Sequence, residues 1–565
     1  MAAHLLSILI FLPLLGVLGL LFIKSDDHRN YRWVSILVTA LQLCLSIYLF
    51  VAFKPEYFQF HSYDSLVYME KANWFQLPLG NLGILSVNYF LGIDGLSLSM
   101  ILLSSIVLFA GACASANITK QAKGYHALYL LLCVSIPGCF LALDLFLFFL
   151  FFEFMLLPMF FLIGIWGGVR REYASIKFFL YTLFGSILIL IVFIVLFIST
   201  YNPAEMMEYV ASNAGYTMQN IQEGIHSGEL INNPSIIHSL DLIQLSNPVN
   251  YFPNGLLGEH NTLTLFGYSI RAWCFIALLV GFLIKLPAFP FHTWLPDAHV
   301  EAPTAVSVVL AGILLKIGGY GLIRIVWPLF PQEAADASWW IGLIGVVTIL
   351  YAAFVALVQT DLKKMIAYSS VSHMGFVVLG LAAATTEGIT GAVYQMFSHG
   401  LISALLFLLV GVLYDRTHDR MIPNYRGLIS KMPAYSVIVT IAFFASLGLP
   451  GMSGFIAEIL IFIGAFQAAT SATAPIPTWM PIVATLGLLL SAAYYLWTLQ
   501  RMFFGKFSTH ITVDRNLLTD ITLSEKVLLY TLSGLIVLFG LFPSILLNKI
   551  GPSMQAWTEF FISMK

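Results

Sequence analysis

The chain alternates from end to end between long apolar runs and short polar breaks. Runs of about 20 residues, the length a helix needs to cross a hydrocarbon core of about 30 Å, occupy 5–23, 33–53, 92–114, 126–142, 144–166 and 174–199. A polar stretch over 200–268 follows, then runs at 269–290, 302–326, 338–358, 364–384, 388–414, 434–468, 480–500 and 527–547. Backbone groups in lipid must be satisfied within their own segment, so these fourteen runs predict helices rather than open strands. Two runs are interrupted. "KLPAFPF" breaks the seventh with Pro287 and Pro290, and "LGLPGMSGF" breaks the twelfth with Pro450 and its neighbouring glycines. Proline removes a donor and clashes with the preceding turn, so each run predicts two half-helices, the first break freeing the carbonyls of Leu283 and Leu286. Interruptions at matching positions point to inverted repeats. The expected fold is an all-α polytopic membrane protein of about fourteen helices, with repeats formed by helices 4–8 (126–326) and 9–13 (338–505). Three helices in 1–125 precede the repeats, and one helix in 506–565 follows them.

Composition agrees with a membrane protein. The chain is 59% hydrophobic and 10% charged, with mean hydropathy +0.89, against roughly 25% charged residues in soluble domains. A net charge of -2 offers no basic face to nucleic acid. The first run lacks the charged start and small-residue cleavage site of a signal peptide and is read as a retained span. Cys44, Cys113, Cys133, Cys139 and Cys274 all lie in apolar runs without a CxxC, as small buried residues do. Neither a Walker loop nor a G-x-G-x-x-G occurs, so no nucleotide, metal or redox cofactor is expected on this chain.

Loop charge sets orientation. Alternate loops, starting with the first, hold 18 of the 26 Lys and Arg residues, Arg515 among them, whereas the 200–268 loop has none. That loop carries Glu205, Glu208, Glu223, Glu229, Asp241 and Glu259. The positive-inside rule then places the basic loops in the cytoplasm and both termini outside.

Against this background the charges inside the runs demand an explanation. Glu153 lies mid-run in "FLFFEFMLL" and Lys316 in "GILLKIGGY"; Lys285 and Glu458 flank the two breaks, and His373 and His399 occupy runs ten and eleven. An ionisable group at bilayer depth costs at least about 2.5–3.5 kcal/mol, so each needs a partner, water or a neutral state. Lys177 and Lys364 lie near run ends, where a lysine can reach the interface. Asp144 reads as an interfacial anchor. Charge pairs that merely lock helices, and histidines satisfied in a core, are the bland alternatives. Lys285 falls in the last turn of its half-helix and Glu458 about one turn into its own, the dipole ends that suit their signs. At about 4 Å and an effective dielectric near 20, a Glu153–Lys285 pair is worth about 4 kcal/mol, and opening it would let the lysine give up its proton.

The stretch 289–324, "FPFHTWLPDAHVEAPTAVSVVLAGILLKIGGYGLIR", resembles the antiporter-like membrane subunits of respiratory complex I, and within them the M type related to mitochondrial NADH dehydrogenase subunit 4. The likeness continues through "DLKKMIAYSSVSHMGFV", "MFSHGLISALLFL" and "SLGLPGMSGFIAE", covering about 90 to 505. The resemblance implies a proton-translocating, non-redox subunit of an NADH:quinone oxidoreductase. Glu153 and Lys285 would be its coupling pair, Lys316 the central lysine, His373 and His399 the connecting path, and Glu458 the acid towards outward release. His292, Asp297, His299 and Glu301, at the cytoplasmic end of runs seven and eight, are the candidates for proton entry, with a plain interfacial role as the alternative. NADH, flavin, iron–sulfur clusters and quinone would be held by other subunits, and L- and N-type chains would be neighbours in a bacterial inner membrane. The absence of a long lateral helix after the last run favours M over L. The other readings are a cation/proton antiporter subunit, the equivalent chain of a membrane-bound hydrogenase, or a structural scaffold.

Overall fold

The computed structural model describes residues 4–24, 27–55, 59–60, 62–203, 205–207, 223–224, 233–471, 475–509 and 518–564. Glu208, Glu229 and Arg515 lie outside the described residues. The first helices are α1 (Leu5–Leu21), α2 (His28–Ala52), α3 (Gly95–Ala114), α4 (Ala122–Leu141), α5 (Leu145–Phe154), α6 (Leu156–Trp166) and α7 (Arg171–Ser199). After the polar stretch come α8 (Ile270–Lys285), α9 (Trp294–Glu301), α10 (Thr304–Leu329), α11 (Ser338–Leu357), α12 (Leu362–Ala383) and α13 (Thr386–Thr417). The chain ends in α14 (Pro433–Ser446), α15 (Ser453–Thr470), α16 (Trp479–Phe503), α17 (Leu523–Leu541) and α18 (Ser544–Met564).

Among the described residues, twelve helices are long and apolar enough to cross a membrane, counting α5 with α6 as one; α1 and α14 are shorter apolar helices. The chain is a multi-pass membrane protein. Helices α10 and α13 are apolar on every side and enclosed by others along their apolar length, whereas half of α7 and of α11 faces outward. That contrast is expected of a bundle whose centre is wrapped by lipid-facing helices.

Both expected breaks are present. α8 ends at Lys285, and the chain passes through a short 3-10 turn (Phe291–Thr293) before α9. Between α14 and α15, Gly448 and Gly451 take φ values of +76° and +92°, a region a side chain disfavours, so the glycines permit the turn that Pro450 enforces. One expectation fails at the first break. The Leu283 carbonyl is not free: it accepts the Ala288 amide at 3.1 Å, because the chain folds back tightly after Leu286. The carbonyl of Ile284 is taken by the indole N–H of Trp294 at 2.9 Å.

Three further features depart from the sequence reading. An antiparallel hairpin, β1 (Val67–Pro78) with β2 (Ile84–Ile93), is joined by β3 (Ile237–Ser239) parallel to β2, so the fold is helical but not purely so. α10 is interrupted by two π-helical segments, Leu310–Leu314 and Leu322–Val326, on either side of Lys316. The region 506–565 holds two helices rather than one. After Pro543 the chain forms α18, whose buried Leu546, Ile550, Ser553, Met554, Trp557 and Phe561 make a single stripe packed on α3 and α13. Asn548, Lys549, Gln555 and Glu559 on its other faces break the apolar run that would have disclosed it.

Candidate functional site

The buried charges converge in the centre of the bundle. Lys316 is fully enclosed; its ammonium donates to the Ala311 carbonyl five residues back, in the first π segment, and lies 2.8 Å from His399 Nδ1 on α13. The rings of His399 and His373 (α12) are 5.4 Å apart centre to centre. His373 Nδ1 in turn lies 3.7 Å from the Glu458 carboxylate on α15 and 3.3 Å from Gln395 Nε2. Lys316, His399, His373 and Glu458, drawn from four helices and each at most 4% exposed, therefore stand in one row, with a ring-to-ring step between the two histidines. From the far ring nitrogen of His373 a hydroxyl chain leads away: Ser446 Oγ at 3.2 Å, Tyr495 OH 2.7 Å beyond, and Ser369 Oγ at 2.9 Å from that.

Glycine lets the two lysine-bearing helices meet. A Cβ on Gly318 would stand 2.5 Å from the Leu286 amide nitrogen, so only glycine lets α10 rest against the end of α8 two residues from Lys316. Lys285, 3% exposed, has no hydrogen-bond partner; its ammonium lies 4.4 Å from the ring centre of Phe152. Glu153, the next residue, is half-buried, and its Oε1 also lacks a partner. The expected close pair is thus open, with no N–O approach within 4.0 Å. A cation over an aromatic face retains part of the stabilisation that the missing carboxylate would have given.

The four entry candidates divide by chemistry. Asp297 is ion-paired to Lys177 at 2.7 Å, which gives that lysine a partner rather than a free reach to the interface. Glu301 accepts the Arg170 amide at 2.9 Å and faces its guanidinium at 3.7 Å. These contacts tie α9 to the start of α7. The histidines are different. His299 is fully buried with both ring nitrogens unpaired and is stacked on Phe407 at 4.5 Å; His292 is buried with Nδ1 unpaired among Phe289, Tyr351 and Tyr368.

Several buried polar groups escaped the sequence reading. Arg324, in the second π segment, is ion-paired with the Asp94 carboxylate; that acid also caps α3 by accepting the Ser97 amide at 2.9 Å, and Tyr320 and Phe60 flank the guanidinium. Lys363, at the start of α12, donates to the Ala302 carbonyl at 2.6 Å. Asp144 is the expected anchor, but a fully buried one: it caps α5 through the amides of Phe146 and Leu147 and takes the Asn88 amide of β2 at 3.2 Å. Beside it Asp241, in the stretch that seemed free of chemistry, takes Lys71 and the Tyr63 hydroxyl, both at 2.7 Å. Burial and this carboxylate push the Tyr63 phenol up to about 12. Burial opposes the charge of Lys71, but the Asp241 carboxylate outweighs it and holds the ammonium above its usual range. The available signals were weak: Asp94 stands just before an apolar run, and Arg324 is eight residues beyond Lys316. Among the described residues no group of three or more His, Cys, Asp or Glu is placed to hold a metal ion.

Comparison with known proteins places the whole chain. A family model described as NADH:quinone oxidoreductase/Mrp antiporter, transmembrane, matches residues 142–227 and 242–500. NADH-quinone oxidoreductase subunit M of Rhodobacter capsulatus is 38% identical over 555 residues, 98% of this chain and 96% of that one. F(420)H(2) dehydrogenase subunit M of Methanosarcina mazei is 35% identical over 554 residues, 97% of each. Among solved structures, a chain of respiratory complex I from Thermus thermophilus with bound NADH superposes with a TM-score of 0.75 at 27% identity, covering 99% of this chain and all of that one.

Proposed function

The chain belongs to the NADH:quinone oxidoreductase/Mrp antiporter transmembrane family, as a relative of its M-type subunits, and from this we propose that it is the proton-translocating M subunit of a quinone-reducing respiratory complex. The observation that carries the reading is the enclosed row Lys316–His399–His373–Glu458. Such a row costs several kcal/mol to bury, and a role in moving charge accounts for it. Lys285, held open over Phe152, is the loading group. Closing it on Glu153 stabilises its proton, and reopening drives the proton to Lys316. From there it passes to His399 and His373, which exchange it by ring rotation or through one water. Glu458, at the positive end of half-helix α15, releases it outward. His299 and His292 feed the lysines from the cytoplasmic side, whereas Asp297 and Glu301 hold α9 in place. In this reading both termini lie outside a bacterial cytoplasmic membrane. NADH, flavin, iron–sulfur clusters and quinone reside on other subunits, and L- and N-type chains flank this one.

A second reading, a subunit of a complex with another electron donor or of a cation/proton antiporter, is supported by the 35% identity to the F(420)H(2) dehydrogenase subunit and by the breadth of the family model. Copurification from native membranes separates the two by the subunits that accompany the chain. The functional test is proton uptake by proteoliposomes carrying the assembled complex. Glu153→Gln and Lys285→Ala lower uptake severely while assembly persists; near-normal uptake by either assembled variant would contradict the loading step.

A further inference from the structure

The hydroxyl chain that leaves His373 has a fixed polarity. At its far end Ser369 Oγ donates to the Ile366 carbonyl at 2.7 Å. A hydroxyl carries one proton, so Ser369 accepts from Tyr495 OH, 2.9 Å away. Tyr495 in turn accepts from Ser446 Oγ at 2.7 Å. With that proton committed, Ser446 meets His373 Nε2, at 3.2 Å, as an acceptor. Each link is set by the one beyond it, and the last is a carbonyl, which has no proton to pass on. The chain therefore does not carry protons away from His373; it asks for a hydrogen on Nε2.

Three helices build it. Ser369 and His373 stand one turn apart on α12 and share a face. Ser446 is the last residue of α14, beside the break, and Tyr495 reaches in from α16, its ring 4.9 Å from that of Phe443. All four are at most 4% exposed, so bulk water does not compete for these bonds. On the other side of the ring, Gln395 Nε2 lies 3.3 Å from Nδ1 and offers it a donor, as an unprotonated nitrogen requires. Gln395 alone does not settle the matter, because its unpartnered Oε1 would accept from an Nδ1–H if the amide turned over. Reversing the hydroxyl chain, by contrast, gives up the bond to Ile366.

We infer that Ser446 and Tyr495 are positioning residues for His373: they hold the neutral ring with its proton on Nε2 and the lone pair of Nδ1 turned towards Gln395 and Glu458. What this does for transport rests on the relay reading of the row. Under that reading Nδ1 is the nitrogen that receives the incoming proton, and the same N–H faces the Glu458 carboxylate 3.7 Å away. Nε2 keeps its own hydrogen throughout, so the ring ends each passage in the tautomer it began with and does not have to turn. The 5.4 Å between the histidine rings is then crossed by movement of His399 or through a water.

The test reads the tautomer itself, by solid-state NMR on the assembled complex in membranes, with histidine isotopically labelled at Nδ1 and at a pH where the ring is neutral. Subtracting the spectrum of His373→Gln isolates the His373 signal. It is expected at the position of an unprotonated ring nitrogen, and stays there in Ser446→Thr, which keeps the hydroxyl. In Ser446→Ala, and in Tyr495→Phe, which removes the acceptor that orients Ser446, the Nδ1–H form rises about tenfold, the ratio that about 1.4 kcal/mol produces. A purely packing role would not move this signal. An Nδ1–H in the unaltered protein, or an unchanged signal in either of these two variants, would overturn the inference. Protons translocated per electron, measured on the same samples, keep the two readings apart: a displaced tautomer with an unchanged ratio leaves the assignment of His373 standing and contradicts the relay.

Discussion

His399 is where the proposed row is most exposed to test. The Lys316 ammonium has two acceptors, the Ala311 carbonyl and His399 Nδ1 at 2.8 Å. A hydrogen bond to a charged group contributes about 1.5–3 kcal/mol, which corresponds to a factor of roughly 10 to 150 at about 1.4 kcal/mol per decade. His399→Ala removes both the acceptor and the titratable ring, and it leaves a hole in an enclosed helix. His399→Asn is the sharper perturbation: its side-chain oxygen takes nearly the position of Nδ1, so the lysine stays satisfied, but the group cannot carry a proton. The expected outcome is that the Asn variant assembles and keeps its thermal stability, while proton passage through this chain is lost because no titratable ring stands between Lys316 and His373. The factor above applies to His399→Ala, which weakens the hold on Lys316 as well. The assay compares proton uptake with quinone reduction in proteoliposomes of the assembled complex. Wild-type uptake per electron in the Asn variant would refute the reasoning, because it would mean that the ring only supports Lys316.

Other consequences concern the ends of the bundle. Arg324→Met leaves the Asp94 carboxylate buried without its partner and destabilises by about 3–5 kcal/mol, whereas adding Asp94→Leu recovers most of the loss; thermal unfolding of the purified complex measures both. At β3, His238 donates from Nδ1 to the Thr200 carbonyl between Phe197 and Phe252, and burial lowers its affinity for a proton. A depressed histidine favours the neutral state in the fold, so its contribution is complete above about pH 6.5 and declines as pH falls below that value. Hydrogen exchange at 236–240, corrected for the intrinsic rate, therefore quickens on acidification below pH 6.5, and His238→Asn removes that dependence.

Much of the fold was legible because lipid leaves so few options. Runs of apolar residues long enough to span must be helices, and the prolines and glycines at 287–290 and 448–451 mark breaks no continuous helix tolerates. The buried charges were legible for the same reason: Glu153, Lys285, Lys316 and Glu458 stand out in apolar surroundings. What escaped depends on geometry that composition does not encode. The π segments around Lys316 read "LAGIL" and "LIRIV", no different from α-helix, yet they set which carbonyl the lysine reaches. The carbonyl of Leu283 seemed free because a donor was missing nearby, but a tight return of the chain supplied the Ala288 amide instead. The open state of Glu153 and Lys285 could not be read either, since the two lie 132 positions apart on helices whose relative rotation is fixed by packing. α18 was hidden by polar residues that interrupt its apolar run on faces turned away from the bundle. The hairpin was hidden because its buried positions include the polar Glu70, Ser86 and Asn88, while Met69, Trp74 and Leu77 are exposed.

The central claim is that protons cross the membrane through this chain by way of Lys316. Its most direct test is the ratio of protons translocated to electrons transferred, measured on the assembled complex in sealed proteoliposomes with Lys316→Ala. If Lys316 is the central relay, electron transfer to quinone continues and the ratio drops by the share this subunit carries. An unchanged ratio at an unchanged electron-transfer rate would contradict the account.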